Sequence, residues 1–155
     1  MKAIGTIDSS KNFIDFEIEK PILRPHDLLI KVEAISINPV DTKVRKGIKG
    51  NLAEPKILGW DGLGTVVELG SETKLFKVGD KVFWAGDVTR SGSNAEFQAV
   101  DERIVGFAPK NLTKEKAVAM PLTSLTAYEL LFEKLEVTDE SKGKSPVSYT
   151  HLRAH

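Results

Sequence analysis

The polar residues best placed to do chemistry follow the most strand-like apolar run of the chain. That run, residues 28–35, leads directly into Asn38-Pro39, and an Asn before a Pro favours the end of a strand and the start of a turn. A short helix over 40–46, ended by Gly47, is predicted next. Rigid scaffolds often present functional groups at such a strand end. The alternative is a well-formed turn that carries no chemistry.

Metal-ligating side chains are scarce. The chain has no cysteine and three histidines, two of which, His151 and His155, lie in its last five residues. The absence of cysteine excludes disulfides, thiolate zinc sites and a cysteine nucleophile. His26 follows a proline in an apparent surface turn, where we expect it to be solvated. Because tight transition-metal sites favour His and Cys ligands, the sequence predicts no catalytic zinc and no other metal site.

Length and charge limit the classes of partner. The 155 residues carry 22 Lys and Arg against 22 Asp and Glu, which predicts neither a nucleic-acid partner nor an anionic membrane partner. No apolar run approaches the roughly 18 residues that span a bilayer. The first eight residues lack the apolar core of a signal peptide and favour a first strand. We therefore expect a cytoplasmic protein.

The glycine-rich motif at 59–64, GWDGLG, is the second candidate segment. Its glycines permit positive φ or close backbone approach. A phosphate-binding fingerprint needs a helix after it, whereas residues 65–69 have the composition of a strand. A nucleotide-phosphate role for these glycines is therefore rejected.

Short strands with frequent turn signals predict a mostly β fold with short helices, arranged as a barrel or a sandwich. Helices are predicted from Thr113 to Met120 and over 122–135, with Pro121 interrupting them; residues 48–55 are predicted to form a loop. The seven predicted strands cover residues 2–7, 13–20, 27–37, 65–69, 81–85, 95–100 and 103–107.

Four segments in order, 38–47, 59–64, 78–82 and 121–128, resemble the medium-chain dehydrogenase/reductase superfamily, most closely its zinc-free quinone oxidoreductase branch. The resemblance runs from about residue 1 to 143. It implies a GroES-like, partly open β-barrel as catalytic domain over 1–121. It also implies that 122–144 begin a cofactor-binding Rossmann domain that this chain lacks.

The departures from the zinc alcohol dehydrogenases identify the branch. Those enzymes carry a cysteine ligand at the position of Asn38, and a His-Glu pair at the positions of Trp60 and Asp61. A hydroxyl residue of their proton relay corresponds to Val40. Quinone reductases typically have tyrosine where this chain has Lys43, so the family role of that tyrosine does not transfer.

The resemblance implies hydride transfer from NADPH to a quinone or an α,β-unsaturated carbonyl compound, without zinc. Hydrogen-bond donors must then replace the metal. The side-chain amide of Asn38 is our first candidate for contact with the nicotinamide or the substrate oxygen; the alternative is an Asx turn before Pro39. In the family, the helix that holds Thr126 crosses the interdomain cleft, which places Thr126 near the nicotinamide.

Other candidates surround Asn38 in sequence. Asp41 belongs to the candidate catalytic group, although a carboxylate at the start of a helix can instead accept backbone N–H groups. Trp60 is a candidate catalytic-site wall for a flat quinone ring, with core packing as the alternative. Thr42 and Lys43 are candidate cofactor or substrate contacts. Asp61 is expected to brace its turn.

The end of the chain departs from the family. The sequence contains no G-x-G-x-x-G motif, and its last eight residues, SYTHLRAH, resemble a peptide translated from sequencing-adapter DNA. We predict a truncated reading frame with a foreign or disordered tail over 145–155; the alternative is a natural stand-alone barrel. The truncated chain is expected to be inactive, whereas the intact family member is expected to form a homo-oligomer.

The alternative to an enzyme is a second class of function, a protein-assembly module. A non-enzymatic GroES-like barrel that mediates assembly would be expected to carry a mobile, apolar partner-binding loop. The loop at 48–55 has only two large apolar residues, Ile48 and Leu52, which favours the enzyme class.

Overall fold

The computed structural model describes residues 1–8 and 12–145. The chain divides into two compact units, Met1–Thr123 and a second unit that begins at Ser124. The strands are β1 (Lys2–Thr6), β2 (Ile14–Glu17), β3 (Asp27–Ser36), β4 (Lys56–Ile57), β5 (Asp61–Leu69), β6 (Lys81–Ala85), β7 (Phe97–Asp101) and β8 (Val105–Phe107). The α-helices are α1 (Pro39–Lys46), α2 (Lys114–Val118) and α3 (Pro121–Tyr128).

The strands form two antiparallel sheets, both in the first unit. The larger sheet has the order β7-β3-β5-β6-β8 and the smaller one β2-β1-β4. An isolated bridge between Ala3 and Ala95 joins β1 to the segment before β7. Pairing among the described residues leaves both sheets open. The predicted mostly β fold with short helices is confirmed, as is the absence of helix or strand over 48–55.

The core of the first unit has two buried clusters, a larger one within the larger sheet and a smaller one in which Leu63 of β5 meets Ala117 and Val118 of α2. Trp84 is 1% exposed, and its indole N–H donates to Gln98 Oε1 at 2.9 Å. Gly62 on the neighbouring strand is needed there, because a Cβ atom would come within 2.2 Å of the Trp84 ring. The larger cluster contains Leu28, Ile30, Val66, Val82, Trp84 and Val100.

Five predicted strands are shorter than the sequence indicated, the first and third of them by one residue each, whereas β5 begins at Asp61, four residues before its predicted start at 65. The second stops at Glu17 instead of residue 20, where its pairing with β1 ends. The last two were predicted to begin at 95 and 103, but β7 begins at Phe97 and β8 at Val105. Between them, residues 102–104 form a 3₁₀ turn, because the side chain of Asp101 accepts the N–H of Arg103 and caps it.

The helices differ in detail from their predictions. Gly47 does follow α1, but with φ of −75°, so it ends the helix without the left-handed conformation that glycine allows. Helix α2 ends at Val118, short of Met120. The break predicted at Pro121 is present, since α2 ends at Val118 and α3 begins at Pro121 itself, in keeping with the preference of proline for the first helical turn.

The helix predicted over 122–135 changes type partway. After Tyr128, residues 129–134 form a π-helix, and the N–H of Leu135 donates to the carbonyl of Leu130 at 2.9 Å, five residues back. Apolar periodicity predicts the extent of such a helix, but not a local change in its hydrogen-bond register. No helix in the described part is long and apolar enough to cross a membrane. The predicted tail, 145–155, lies outside the described residues except for Ser145.

Candidate active site

Asn38 lies between the end of β3 and the start of α1, where it is the N-cap residue in an extended conformation. Its side chain is 8% exposed. Its amide nitrogen Nδ2 donates to Asp61 Oδ2 at 2.8 Å. The turn predicted after the strand is therefore present, and it directs the amide toward β5.

Asp41 holds the backbone around this turn. Its Oδ2 accepts the N–H of Asn38 at 2.7 Å, and its Oδ1 accepts the N–H of Gly59 at 2.9 Å. Gly59 has φ of +90°, which favours glycine. The expectation that Asp41 accepts backbone N–H groups is confirmed, and one carboxylate ties the first turn of α1 to the second motif. Its membership of the catalytic group stays a prediction.

Asp61 is buried beneath these two residues with 0% exposure. Its Oδ1 accepts the N–H of Leu122 at 3.1 Å, and its backbone carbonyl accepts the hydroxyl of Ser93 at 3.0 Å. Burial raises the pKa of Asp61, and the nearby charge of Asp41 acts in the same direction; the bonds from Asn38 and Leu122 oppose them. The carboxylate is thus held by neutral donors rather than by a cation.

Trp60 is 2% exposed. Its indole N–H donates to the carbonyl of Asp87 at 3.0 Å, and its own carbonyl accepts the N–H of Gly86 at 2.8 Å. Of the two alternatives, this geometry matches core packing. A role as the wall of a quinone site stays a prediction, and it requires that the ring be uncovered.

Thr42 and Lys43 lie on the exposed surface of α1. The Thr42 hydroxyl donates to the carbonyl of Pro39 at 2.8 Å, so it remains an acceptor for another group. Thr42 also lines an open cavity of about 1040 Å³ in the first unit, together with Arg45 and apolar residues of the smaller sheet and β3. Thr126, by contrast, lies on the part of α3 that belongs to the second unit and is exposed.

The structure therefore brings together Asn38, Asp41 and Asp61, and places Thr42 and Lys43 on the same helix as Asp41. Sequence reasoning assigned a bracing role to Asp61 but missed its bond to Leu122. A signal was available, because Asp61 is the single charged residue in the stretch from Ile57 to Val67. A carboxylate within such a strand is rarely buried without partners.

His26 was expected to be solvated, but its ring is only partly exposed. Its ring is 41% exposed and lies between two carboxylates, with Nε2 3.2 Å from Glu72 Oε2 and Nδ1 3.6 Å from Glu102 Oε1. Across residues 1–8 and 12–145, no group of three or more His, Cys, Asp or Glu side chains has the arrangement of a metal site.

The fold and this strand-end site match known proteins. Residues 24–119 match the alcohol dehydrogenase GroES-like domain family, and the chain belongs to that family. The GroES-like fold and the membership of the medium-chain dehydrogenase/reductase superfamily, both implied by four short motifs, are thereby confirmed.

Two curated relatives show the range of names within the family. The chain is 41% identical to a zinc-type alcohol dehydrogenase-like protein of Staphylococcus epidermidis, over 94% of this chain and 45% of the relative. It is 38% identical to 2-methylene-furan-3-one reductase of Solanum lycopersicum, over 91% of this chain and 37% of that protein. The chain thus spans less than half the length of these relatives.

Solved structures agree. A putative zinc-dependent alcohol dehydrogenase from Rhizobium etli has a TM-score of 0.80 and 44% identity, covering 86% of this chain and 40% of the other. Escherichia coli quinone oxidoreductase, solved in complex with NADPH, has a TM-score of 0.75 and 25% identity, covering 86% and 41%. The superfamily to which the chain belongs is thus one of oxidoreductases that includes quinone oxidoreductases and an enone reductase.

Proposed function

We propose that this chain is the catalytic-domain portion of an NADPH-dependent oxidoreductase that reduces a quinone or an α,β-unsaturated carbonyl compound without zinc. One observation carries the proposal: the Asn38 amide is fixed by Asp61 at the strand end, where zinc enzymes of the superfamily have a metal ligand. The similarity to a quinone oxidoreductase that binds NADPH and to an enone reductase supports the choice of cofactor and substrate class.

The chain's own residues fit part of the cofactor. Asn38, Thr42, Lys43 and Thr126 offer amide, hydroxyl and ammonium groups of the kinds that contact a nicotinamide or a phosphate. The sequence contains no G-x-G-x-x-G motif, which elsewhere positions a pyrophosphate at a helix N-terminus. Bound NADPH would supply the hydride, and most of its binding energy would come from beyond these residues.

In this proposal Asn38 stabilises negative charge on the substrate oxygen. A side-chain amide has two N–H donors, and one of them is used by Asp61. The second is available to a carbonyl oxygen, on which charge develops as hydride arrives. Asp41 fixes the backbone of Asn38 through its N–H. We assign Asp41 to holding this donor in place rather than to reacting itself.

The competing function is a non-enzymatic assembly module. It would need the loop over 48–55 to present apolar side chains to a partner. Instead, Ile48 and Leu52 are half-buried, and the N–H of Leu52 donates to the carbonyl of Ile7 at 2.8 Å. Because this loop keeps its two large apolar side chains half-buried, it favours the enzyme over the assembly module.

The first test is calorimetric titration of the purified 155-residue chain with NADPH up to millimolar concentration. We expect no binding, or very weak binding, and no NADPH-dependent reduction of a quinone by the chain alone. Micromolar binding would contradict the inference that most of the binding energy lies elsewhere. Turnover by the chain alone would contradict its expected inactivity.

The second test joins the chain to the part of a relative that it does not match. Residues 1–144 are fused to the remaining part of the Staphylococcus epidermidis relative, and NADPH-dependent reduction of an enone is measured. We expect activity, with kcat reduced about 100-fold by Asn38→Ala and unchanged by Asn111→Ala at an exposed position. A fusion that binds NADPH but reduces neither quinones nor enones would contradict the proposed function.

A further inference from the structure

Asp61 makes contacts that bracing a turn does not require. It is a fully buried carboxyl group on β5, and its two oxygens serve two different segments. Oδ2 accepts from the Asn38 side chain at 2.8 Å, and Oδ1 accepts from the Leu122 backbone at 3.1 Å. The group therefore connects the candidate hydrogen-bond donor of the site to the first turn of α3.

The two ends of the Asn38 amide have opposite hydrogen-bonding roles, since the NH₂ end donates and the carbonyl end accepts. The protonation state of Asp61 therefore decides which end it can bind. An ionised carboxylate can only accept, so it pairs with the NH₂ end of Asn38 and turns the carbonyl end away. A protonated carboxyl group has one O–H donor and can pair with the carbonyl end instead. In that case both N–H groups of Asn38 would be turned away from Asp61.

We propose that Asp61 is a positioning residue whose protonation state determines which end of the Asn38 side-chain amide faces Asp61, and hence whether one or both of its N–H groups are left for a ligand. The consequence for a substrate oxygen rests on the proposed function of Asn38. The pairing of Asn38 with Asp61 does not, since it is a contact within the chain itself.

The surroundings of Asp61 make its protonation accessible. Its charged neighbour is Asp41 on α1, and burial together with that charge raises its pKa. Its partners in the sheet, Ser36 on β3 and Ala85 on β6, carry no charge, and α3 contributes a backbone N–H. Asp61 should therefore gain its proton at a higher pH than an exposed aspartate does.

Nuclear magnetic resonance on the purified chain tests this directly. The ¹⁵N-bound side-chain protons of Asn38 and the carboxyl carbons of Asp61 and Asp41 are followed from about pH 8 to pH 4. We expect the Asn38 signals to shift in one step, with the midpoint of the Asp61 carboxyl. A step that follows Asp41 instead, or Asn38 signals that do not change while Asp61 titrates, would overturn the proposal.

Two variants separate positioning from general stability. Asp61→Asn keeps the shape of the side chain but removes the titration, so the step in the Asn38 signals should be lost. Ser93→Ala is the matched control, because Ser93 is 1% exposed and donates to the backbone carbonyl of Asp61, which leaves the carboxyl group intact. The step should persist in this control; its persistence in Asp61→Asn would overturn the proposal.

If Asp61→Asn does not fold, the proposal is still tested in the wild type, where the midpoint of the Asn38 signals is compared with the midpoint of the Asp61 carboxyl titration. These spectra are recorded without NADPH or substrate. A fusion that binds NADPH but reduces neither quinones nor enones would therefore count against the proposed function and leave this inference standing, whereas mismatched midpoints would count against this inference alone.

Discussion

The side-chain nitrogen of Asn38 lies 2.8 Å from Asp61 Oδ2, although 23 positions separate the two residues in the sequence. Sheet register explains the contact. Strands β3 and β5 are antiparallel and pair Ser36 with Asp61, so the residue that caps α1 arrives directly beside the start of β5. Any change that shifts this pairing would also misplace the candidate donor.

Asn38→Asp should destabilise the chain at neutral pH. The variant places a second carboxylate against buried Asp61, where like charges repel in a site that excludes water. We expect the free energy of unfolding to fall by about 2–4 kcal/mol. The loss should shrink as the pH falls, because a shared proton relieves the repulsion. Urea unfolding at several pH values measures both effects.

Asn111→Asp is the control for this experiment, since Asn111 is exposed and its replacement should change stability by less than about 0.5 kcal/mol. An Asn38→Asp protein as stable as the wild type at neutral pH would show that the amide does not face Asp61 in solution.

Asp41→Ala should also be costly. The change leaves the N–H groups of Asn38 and Gly59 without their acceptor in a site that is nearly closed to water. We expect a loss of about 2–4 kcal/mol, from one lost helix cap and one further unpaired buried donor.

Asp80→Ala gives the comparison for Asp41, because Asp80 accepts a single exposed N–H, that of Lys77, at 2.9 Å. Its loss should cost about 1 kcal/mol or less. Equal effects of the two changes in thermal unfolding would contradict the structural role assigned to Asp41.

The parts of this site that could be predicted from the sequence are those whose conformation is determined by neighbouring residues in the chain. Asn38-Pro39 predicts the end of a strand and the start of a helix because both residues restrict the backbone nearby. Asp41 is predictable as a backbone acceptor for the same reason. The bond from Leu122 to Asp61 depends instead on where α3 begins relative to β5. No local pattern encodes that distance.

The errors have the same origin. The break at Pro121 was predicted, but the end of α2 at Val118 rather than at Met120 was not. The second strand was predicted too long, since alternation of apolar residues continues past Glu17 although pairing with β1 stops there. Strand ends are set by the partner strand, which the periodicity of one segment does not describe.

Glu33 should make stability depend on pH in the acid range. Its carboxylate on β3 contacts the ammonium groups of Lys114 on α2 and Lys81 on β6, and accepts the hydroxyl of Thr65 at 2.5 Å. The bonds from Lys114, Lys81 and Thr65 lower the pKa of Glu33 to about 2. A lowered pKa in the folded state stabilises the fold above the ordinary glutamate range. That stability is lost as the pH falls toward 2.

Glu33→Gln should therefore lower the free energy of unfolding by about 1 kcal/mol near pH 7, because both lysines are half-exposed and screened by solvent. The difference from the wild type should narrow below about pH 4 and shrink at high salt. Glu68→Gln, at an exposed site on β5, is the control and should show neither trend. A difference that stays constant with pH would exclude the charge as its cause.

The helical segment of the second unit should promote self-association. Four of its apolar side chains, Leu125, Tyr128, Phe132 and Leu135, are between 50% and 60% exposed, and the rings of Tyr128 and Phe132 lie 4.9 Å apart. Exposed apolar patches of this kind favour association. Light scattering should show a mass that rises with protein concentration.

The double variant Leu125→Lys, Phe132→Lys should remove that rise. Leu75→Lys, Val78→Lys is the matched control, since both residues are 59% exposed but belong to the first unit. A wild-type chain that stays monomeric at all concentrations would contradict the prediction, as would equal suppression by both double variants.

Because Trp60 and Trp84 are buried, their fluorescence reports on the folding of the first unit. They are the two tryptophans of the chain, at 2% and 1% exposure, and both belong to the first unit. Their emission should be blue-shifted in the folded state and should shift to the red when this unit opens. Amide exchange in the part of α3 from Ser124 onward would report on the second unit. The unfolding of the two units can thus be followed separately in one unlabelled protein. The comparison shows whether the two units unfold together.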